Sequence, residues 1–303
     1  MDFDILNIPI KDLEKKLKTE PEDFWVKRGE KMALGLFKKM SKRVPAYKDF
    51  LEKNKINSDK IKTIKDFKGV PFIDKDNYLR KYPLEKLCWD GKFKTEQWDI
   101  SSTSGTTGNP FYFPRTDLQN KYYAKTAELY LRNNFEIHKR STLYINTFAL
   151  GVWIGGIFTY EAIKTVCRDG VYPITLINPG LNKSETIKVV NNLGDKFEQI
   201  IIAGYPPFVK DIIDEGVSDG LDWGKYNIKF IFSAEGFSEK FREYLFEKAK
   251  QDNIYFDSLN HYGTVDQGTL AHETPLTILT RRELIKTKNT IFDESFYRLP
   301  TLA

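Results

Sequence analysis

The sequence predicts an α/β protein, with a mostly parallel sheet flanked by helices over residues 98–303 and a helical region over residues 1–97. Three observations predict it. From Trp98 onward, short apolar runs alternate strictly with amphipathic stretches, as in a doubly wound sheet whose strands are covered on both faces. Before Trp98 the chain is charged, and its apolar residues recur at helical spacings. Finally, Gly204-Tyr205-Pro206-Pro207, Ser233-Ala234-Glu235-Gly236 and Asn260-His261-Tyr262-Gly263 each follow directly after an apolar run, where ligands of open α/β sheets bind.

The elements follow in order. Trp25, Met32, Leu36 and Met40 stand at spacings of seven and four, which predicts one core-facing stripe on a helix starting near Pro21. Helices around residues 47–54 and 75–80 come next, separated by turns at Pro45 and Pro71. Residues 142–146, 170–177, 199–203, 228–233 and 254–259 read as buried strands. Residues 117–133, 155–169, 184–193, 207–216 and 238–250 read as the intervening helices.

Composition bounds the class. The chain has 303 residues, 41% hydrophobic and 29% charged, enough to bury a large core, with no low-complexity tract and no internal repeat. The net charge of +5 comes from lysines scattered along the whole length, a solvated surface rather than a nucleic-acid face. Cys88 and Cys167 form neither a disulfide framework nor a CxxC knuckle, and Met1-Asp2-Phe3-Asp4 lacks the regions of a signal peptide. Residues 141–160 carry no charge, but Asn146, Thr142, Thr147, Thr159 and three glycines suit a buried strand, a Gly-rich loop and a helix better than a membrane span. A cytoplasmic protein without membrane attachment is expected, and a homodimer stays open.

The most informative stretch is Ser104-Gly105-Thr106-Thr107-Gly108-Asn109-Pro110. From Ser101 to Asn109 it holds only hydroxyl residues, glycines and one Asn, so it cannot be a core element. It suits a loop whose backbone N–H groups and hydroxyls face phosphate oxygens, with glycines allowing close approach. It is not a Walker P-loop: Gly105 and Gly108 are three apart, and no Lys-Ser or Lys-Thr pair follows.

This word resembles the Ser/Thr-Ser-Gly-Thr-Thr-Gly-Lys-Pro signature of the adenylate-forming enzymes, the acyl- and aryl-CoA synthetase superfamily. Further words are similar to those of its phenylacetate–CoA ligase-like branch: Val44-Pro45-Ala46-Tyr47, then Val70-Pro71-Phe72-Ile73-Asp74-Lys75-Asp76 with Leu79-Arg80-Lys81-Tyr82-Pro83, Ser233-Ala234-Glu235-Gly236-Phe237-Ser238-Glu239, and Tyr262-Gly263-Thr264-Val265-Asp266. They stand in family order. The resemblance implies the large N-terminal domain of an adenylate-forming enzyme. It implies activation of an acid by ATP with magnesium to an acyl-adenylate and pyrophosphate, then displacement of AMP by the thiol of coenzyme A. A carboxylate is already ionised at neutral pH, so the first half needs alignment and charge dispersal more than acid–base chemistry.

By resemblance, Ser104, Gly105, Thr106, Thr107 and Gly108 hold the phosphates, with Thr106 also in the reaction. Ala234, Glu235 and Gly236 line the adenine, with Tyr262 stacked near it beside Gly263 and Thr264. Asp266 stands where the family has the magnesium-binding Glu, a competent hard-oxygen ligand one methylene shorter and the expected catalytic carboxylate. Asn109 stands where most relatives have Lys, and Val265 replaces a Thr, removing a donor. Arg115 and Lys121 are candidates to replace the missing charge. Glu235 and Asp266 also read as capping or surface carboxylates. Phe148 and Trp153, with Gly204 and Pro206, are the candidate walls of a slot for an apolar acid, aromatic or fatty; core packing explains the two aromatics equally. His138, His261 and His272 lack ligand spacing, although Glu273 beside His272 leaves a metal site conceivable.

The resemblance covers the front two-thirds of a full enzyme. No ribose-binding Asp with its hinge Arg and no C-terminal lid lysine precede Ala303, so poor turnover by this chain alone is expected. Two alternatives stay open: an acid-activating enzyme that loads a carrier protein or a sugar amine, as capsule-linked relatives do, and a catalytically reduced nucleotide-binding fragment.

Overall fold

The computed structural model describes residues 4–103 and 110–287, which fall into two compact units, one over Lys11–Gln97 and the other over the remainder. In the first unit, helix α1 (Ile10–Thr19) leads to α2 (Glu22–Arg43), α3 (Pro45–Lys53) and the single turns α4 (Ile64–Phe67) and α5 (Leu84–Leu87). Pro45 sits at the start of α3, where its missing N–H costs nothing. The core of this unit is aromatic: Phe37 meets Tyr47 edge-on at 6.1 Å, and Tyr47 meets Tyr78 likewise at 6.1 Å.

Two expectations fail here. The stripe on α2 is wrong in phase, because Met32 and Leu36 are half exposed while Phe37 is 2% exposed. Spacings of four fit two adjacent helix faces, and the aromatic partners on α3 select the one that buries Phe37. No regular α-helix forms over residues 75–80. The Asp74 side chain accepts from the backbone N–H groups of Asp76 and Asn77 at 2.8 and 2.7 Å, holding a turn that ends in a 3-10 segment at Leu79–Lys81.

The second unit begins with a hairpin, β1 (Asp99–Ser102) and β2 (Tyr112–Arg115), and then alternates α6 (Asp117–Phe135), β3 (Thr142–Asn146), α7 (Ile154–Asp169), β4 (Ile174–Ile177), α8 (Lys183–Leu193), β5 (Gln199–Gly204), α9 (Pro206–Ser218), β6 (Ile228–Phe232) and α10 (Glu239–Lys248). It closes on β7 (Ser258–Thr264), β8 (Gly268–His272) and α11 (Pro275–Lys286). Six strands form one sheet in the order β4-β3-β5-β6-β7-β8, parallel throughout except for β8. The expected architecture is therefore present. Alternate strand residues serve opposite cores. Leu143, Ile145, Ile202 and Phe230 pack under α8, α9 and α10, while Tyr144, Ile201, Ile231 and Leu259 pack under α6 and α7.

The strands differ from expectation at their ends. Strand β4 starts at Ile174, because Val171 adopts φ +54° and Pro173 has no N–H to give a ladder. Strand β7 starts late and runs on to Thr264, where it turns back into β8. No described helix is long and apolar enough to cross a membrane; the uncharged run over residues 141–160 is β3, a loop and the start of α7.

Candidate functional site

From β3 the chain crosses to β4 on one side and then returns to β5 on the other, so the topological switch point lies between β3 and β5. Ligands of open α/β sheets bind outside the carboxyl ends of the strands at such a point. Asn146 closes β3 and shapes the loop that follows. Its amide donates to the Gly156 carbonyl at 3.2 Å and to Asn178 at 3.1 Å, and its oxygen accepts from the Phe148 N–H at 3.3 Å. Thr147 donates its hydroxyl to the Ala203 carbonyl at 2.9 Å, locking the two strand ends together. Gly204 is required there, since a Cβ would fall 2.1 Å from the Thr147 hydroxyl.

Hairpin β1–β2 is held against the same loop. The Ser102 N–H donates to the Val152 carbonyl at 2.9 Å, and Ser102 bridges Trp153 in parallel. Thr103 and Phe111 continue the pairing beyond β1 and β2, the Phe111 N–H donating to the Thr103 hydroxyl at 3.0 Å. The expected phosphate residues Ser104, Gly105, Thr106, Thr107 and Gly108, with Asn109, lie outside the described residues. Sequence reasoning missed both strands, which are only four residues long and carry polar residues on half their positions.

The loops after β5 and β6 meet. The Tyr205 hydroxyl donates to the Glu235 carboxylate, which together with burial pushes the phenol pKa up. Asn260, on β7, donates to the Glu235 carbonyl at 3.4 Å. Ala234 takes φ +80°, a left-handed conformation costing a non-glycine residue about 1–2 kcal/mol, and the Ser233–Gly236 turn holds it there. Glu235 and Tyr262 are exposed, Gly236 is half-buried, and Pro206 is buried at the start of α9.

Tyr262, Gly263 and Thr264 form the end of β7, and Asp266 stands exposed in the turn to β8. Gly263 allows the two strands to close, because a Cβ there would lie 2.3 Å from the Gly268 carbonyl oxygen. Gly268 in turn presses on the ring of Phe158 in α7, where a Cβ would come within 2.5 Å. The same ring carries the Arg115 guanidinium at 4.8 Å. Phe158 therefore joins the β1–β2 hairpin to the Tyr262–Asp266 turn. Lys121, the other candidate cation, is exposed and paired with Asp117 at 2.7 Å.

Phe148 and Trp153 part company. Phe148 is 6% exposed in the core beneath α6 and α7, with Gly155 against its ring, whereas Trp153 is 39% exposed at the start of α7. Phe148→Leu should accordingly lower stability by about 1 kcal/mol in urea unfolding, while Trp153→Ala leaves stability within about 0.5 kcal/mol. Equal stability losses in the two variants would contradict this division.

The histidines gather no metal site; among the described residues no group of three or more His, Cys, Asp or Glu could hold one. His261 is buried, its ring 4.6 Å from that of Tyr130, and burial, helped by nearby His272, pushes its pKa down to about 3, so it is a neutral core residue. Glu273 belongs to a buried ion network that the sequence did not reveal. Arg242 donates to both of its carboxylate oxygens at 2.8 Å, and Glu273 also accepts the Asn260 N–H at 2.9 Å. Arg281 pairs with Glu273 and Glu239. The network thus fixes the strand that carries Tyr262. A hint existed in Glu239 and Arg242, three apart on an otherwise apolar helix face, but charge runs of that kind are usually solvated.

The fold is shared with 2-hydroxyisobutyryl-CoA ligase. Its open conformation in complex with 2-HIB-AMP and CoA superposes with a TM-score of 0.66 at 16% identity, covering 87% of this chain and 60% of that one. The same ligase in the thioesterification state, again with 2-HIB-AMP and CoA, gives 0.68 at 16% identity over 90% of this chain and 57% of that one. In the postadenylation state with 2-HIB-AMP it gives 0.68 at 15% identity over 87% and 54%. At this identity the likeness establishes the fold alone, and this chain spans at most 60% of those ligases' length. No protein-family model matches the sequence. No curated protein matches it either.

Proposed function

We propose that this chain carries the nucleotide- and acid-binding part of an AMP-forming acid–CoA ligase, of the phenylacetate–CoA ligase-like type. One observation carries the reading: the hairpin that bears the Ser/Thr/Gly word is bonded to the loop after β3, beside the switch point of the sheet. The shared fold supports it, as does the order of the sequence words.

In this reading the acid's carboxylate oxygen attacks the α-phosphorus of ATP and pyrophosphate leaves; the sulfur of CoA then attacks the acyl carbon and AMP leaves. The Ala234–Gly236 turn, braced by Tyr205 and Asn260, would receive the adenine, and Tyr262 would lie beside it. Ser104, Thr106, Thr107 and the glycines between them would hold the phosphates. A magnesium ion brought in on the phosphates needs only one or two protein carboxylates, and exposed Asp266 fits that requirement. The acid is proposed to be aromatic or a medium-length fatty acid. Leu150, Val152 and Trp153 are all exposed along the loop after β3, and no charged residue lies between 142 and 160 to pair a second charge.

Acid-dependent exchange of labelled pyrophosphate into ATP tests the first half, and CoA-dependent AMP release tests the acceptor. Exchange should be fastest with apolar acids, and Trp153→Ala should change that preference with little effect on affinity for ATP. Asp266→Ala should weaken the magnesium dependence of exchange by about tenfold, leaving metal-free nucleotide binding within about twofold. An unaltered magnesium titration would make Asp266 a surface carboxylate. Nucleotide binding without exchange for any acid would favour a catalytically reduced protein, the reading that Asn109 and Val265 point toward. AMP release that needs a carrier protein or a sugar amine instead of CoA would favour the carrier- or sugar-loading reading.

A further inference from the structure

Arg115 closes β2 and is 2% exposed, yet no carboxylate among the described residues forms an ion pair with it. Its Nη2 donates to the Ser101 hydroxyl at 2.8 Å across the hairpin, while Nε and Nη1 are buried without a hydrogen-bond partner among the described residues. The cross-strand neighbour in register is Asp99, whose negative charge acts on the guanidinium, but Asp99 forms no hydrogen bond with it and accepts from Asn120 instead. What faces the guanidinium is the ring of Phe158, a weak partner for a cation that has lost its water. Burial accordingly pushes its pKa down, although an arginine keeps its proton. Buried charges in folded proteins are paired, and an unpaired one is a liability that persists where a ligand completes it.

Its surroundings indicate which ligand. No Lys or Arg occurs from residue 95 to 114, so neither strand of the hairpin nor the Ser/Thr/Gly word between them in sequence contains another cation. Through Phe158 the guanidinium is also coupled to Gly268, at the base of the turn that carries Asp266. A guanidinium with two free donors suits a phosphate oxygen better than a point charge does.

We propose that Arg115 is a phosphate-binding residue that supplies the positive charge for the phosphate chain of the bound nucleotide, an inference that rests on the nucleotide-binding reading of this hairpin. The two free N–H groups meet a phosphate oxygen, and Ser101 with Phe158 holds the guanidinium plane in place beforehand. Ligand entry has to open the cover over these atoms.

The test uses the full chain with magnesium-ATP, sodium tripolyphosphate and adenosine as separate calorimetric probes, in wild type, Arg115→Met and Arg115→Lys. Arg115→Met should bind tripolyphosphate and ATP about thirtyfold more weakly, Arg115→Lys about fivefold, and both should bind adenosine as wild type does. Thermal unfolding of the ligand-free Arg115→Met protein should occur at or above the wild-type temperature, because a buried charge without a hydrogen-bonded counter-ion has been removed. Tripolyphosphate binding within twofold of wild type in Arg115→Met would overturn the inference while leaving the nucleotide reading intact. Loss of adenosine binding in both variants, or weakened binding of phenylacetate alone, would overturn it as well, marking a structural prop or an acid-binding residue. A wild-type chain that binds neither ATP nor adenosine at millimolar concentration would remove the nucleotide reading itself, and this inference with it.

Discussion

Arg242→Met should lower the free energy of unfolding by about 3–5 kcal/mol, the range for breaking a buried ion pair from one side. Arg242 is fully buried and serves four partners: both oxygens of Glu273, the Glu239 carboxylate at 3.2 Å, the Ser258 hydroxyl at 2.5 Å and the face of Phe237 at 4.9 Å. Methionine of similar length fills the space but leaves the two carboxylates with Arg281 and Arg282 as their cations among the described residues. The pH dependence has a definite sign. Burial raises the Glu239 pKa, but Arg242 and Arg281 outweigh it and hold the group below the ordinary carboxylate value. A depressed folded-state pKa gives stability that is full above the unfolded value, near 4.3, and is lost as pH falls through the folded one. Wild type should therefore lose stability on acidification below about pH 4.5, and Arg242→Met should lose less of it over the same range. Urea unfolding at low salt from pH 7 to 3 measures both. A loss under 1 kcal/mol at pH 7 would mean that Arg281 and Arg282 suffice. Because Glu273 also accepts the Asn260 N–H, the variant should loosen the end of β7 even where the protein remains folded, and under the proposed nucleotide-binding function adenosine should then bind more weakly.

Gly204→Val acts at the switch point and should cost about 2–4 kcal/mol. A side chain there meets the Thr147 hydroxyl at 2.1 Å and the Val209 methyl at 2.9 Å, and neither can retreat cheaply. Thr147 is fully buried and spends its hydroxyl on the Ala203 carbonyl. Moving it leaves that bond unmade at the junction of β3 and β5. The companion Thr147→Ala removes the obstacle, so Gly204→Ala combined with Thr147→Ala should cost at least 0.5 kcal/mol less than the sum of the two single changes. Strict additivity would show that the clash is relieved elsewhere.

Much of this architecture was legible because buried parallel strands advertise themselves. Residues 142–146, 199–203 and 228–233 are mostly apolar runs of strand length, and each sits between amphipathic stretches with caps such as Asn182 and Ser238. Period and length therefore predicted the strands, their helices and the positions of the Gly204, Ala234 and Tyr262 words. The short strands β1, β2 and β8 escaped, since four or five residues with mixed burial leave no periodic trace. On α2, spacing alone predicted Met32 and Leu36 as buried, whereas the neighbouring face around Phe37 is the one that packs.

The sequence by itself determined the fold class, the strand and helix order, and which words fall at the carboxyl ends of strands, because these depend on local period and hydrophobicity. Only the tertiary structure decided which side chains share a site. Phe148 turned into the core while Trp153 stayed at the surface, Glu273 was claimed by Arg242 instead of a metal, and Arg115 was left buried beside Phe158 with two unpaired donors. The physical reason is that charge pairing and burial depend on residues far apart in the chain, Arg115 with Phe158 and Arg242 with Glu273, whose approach no local spacing encodes.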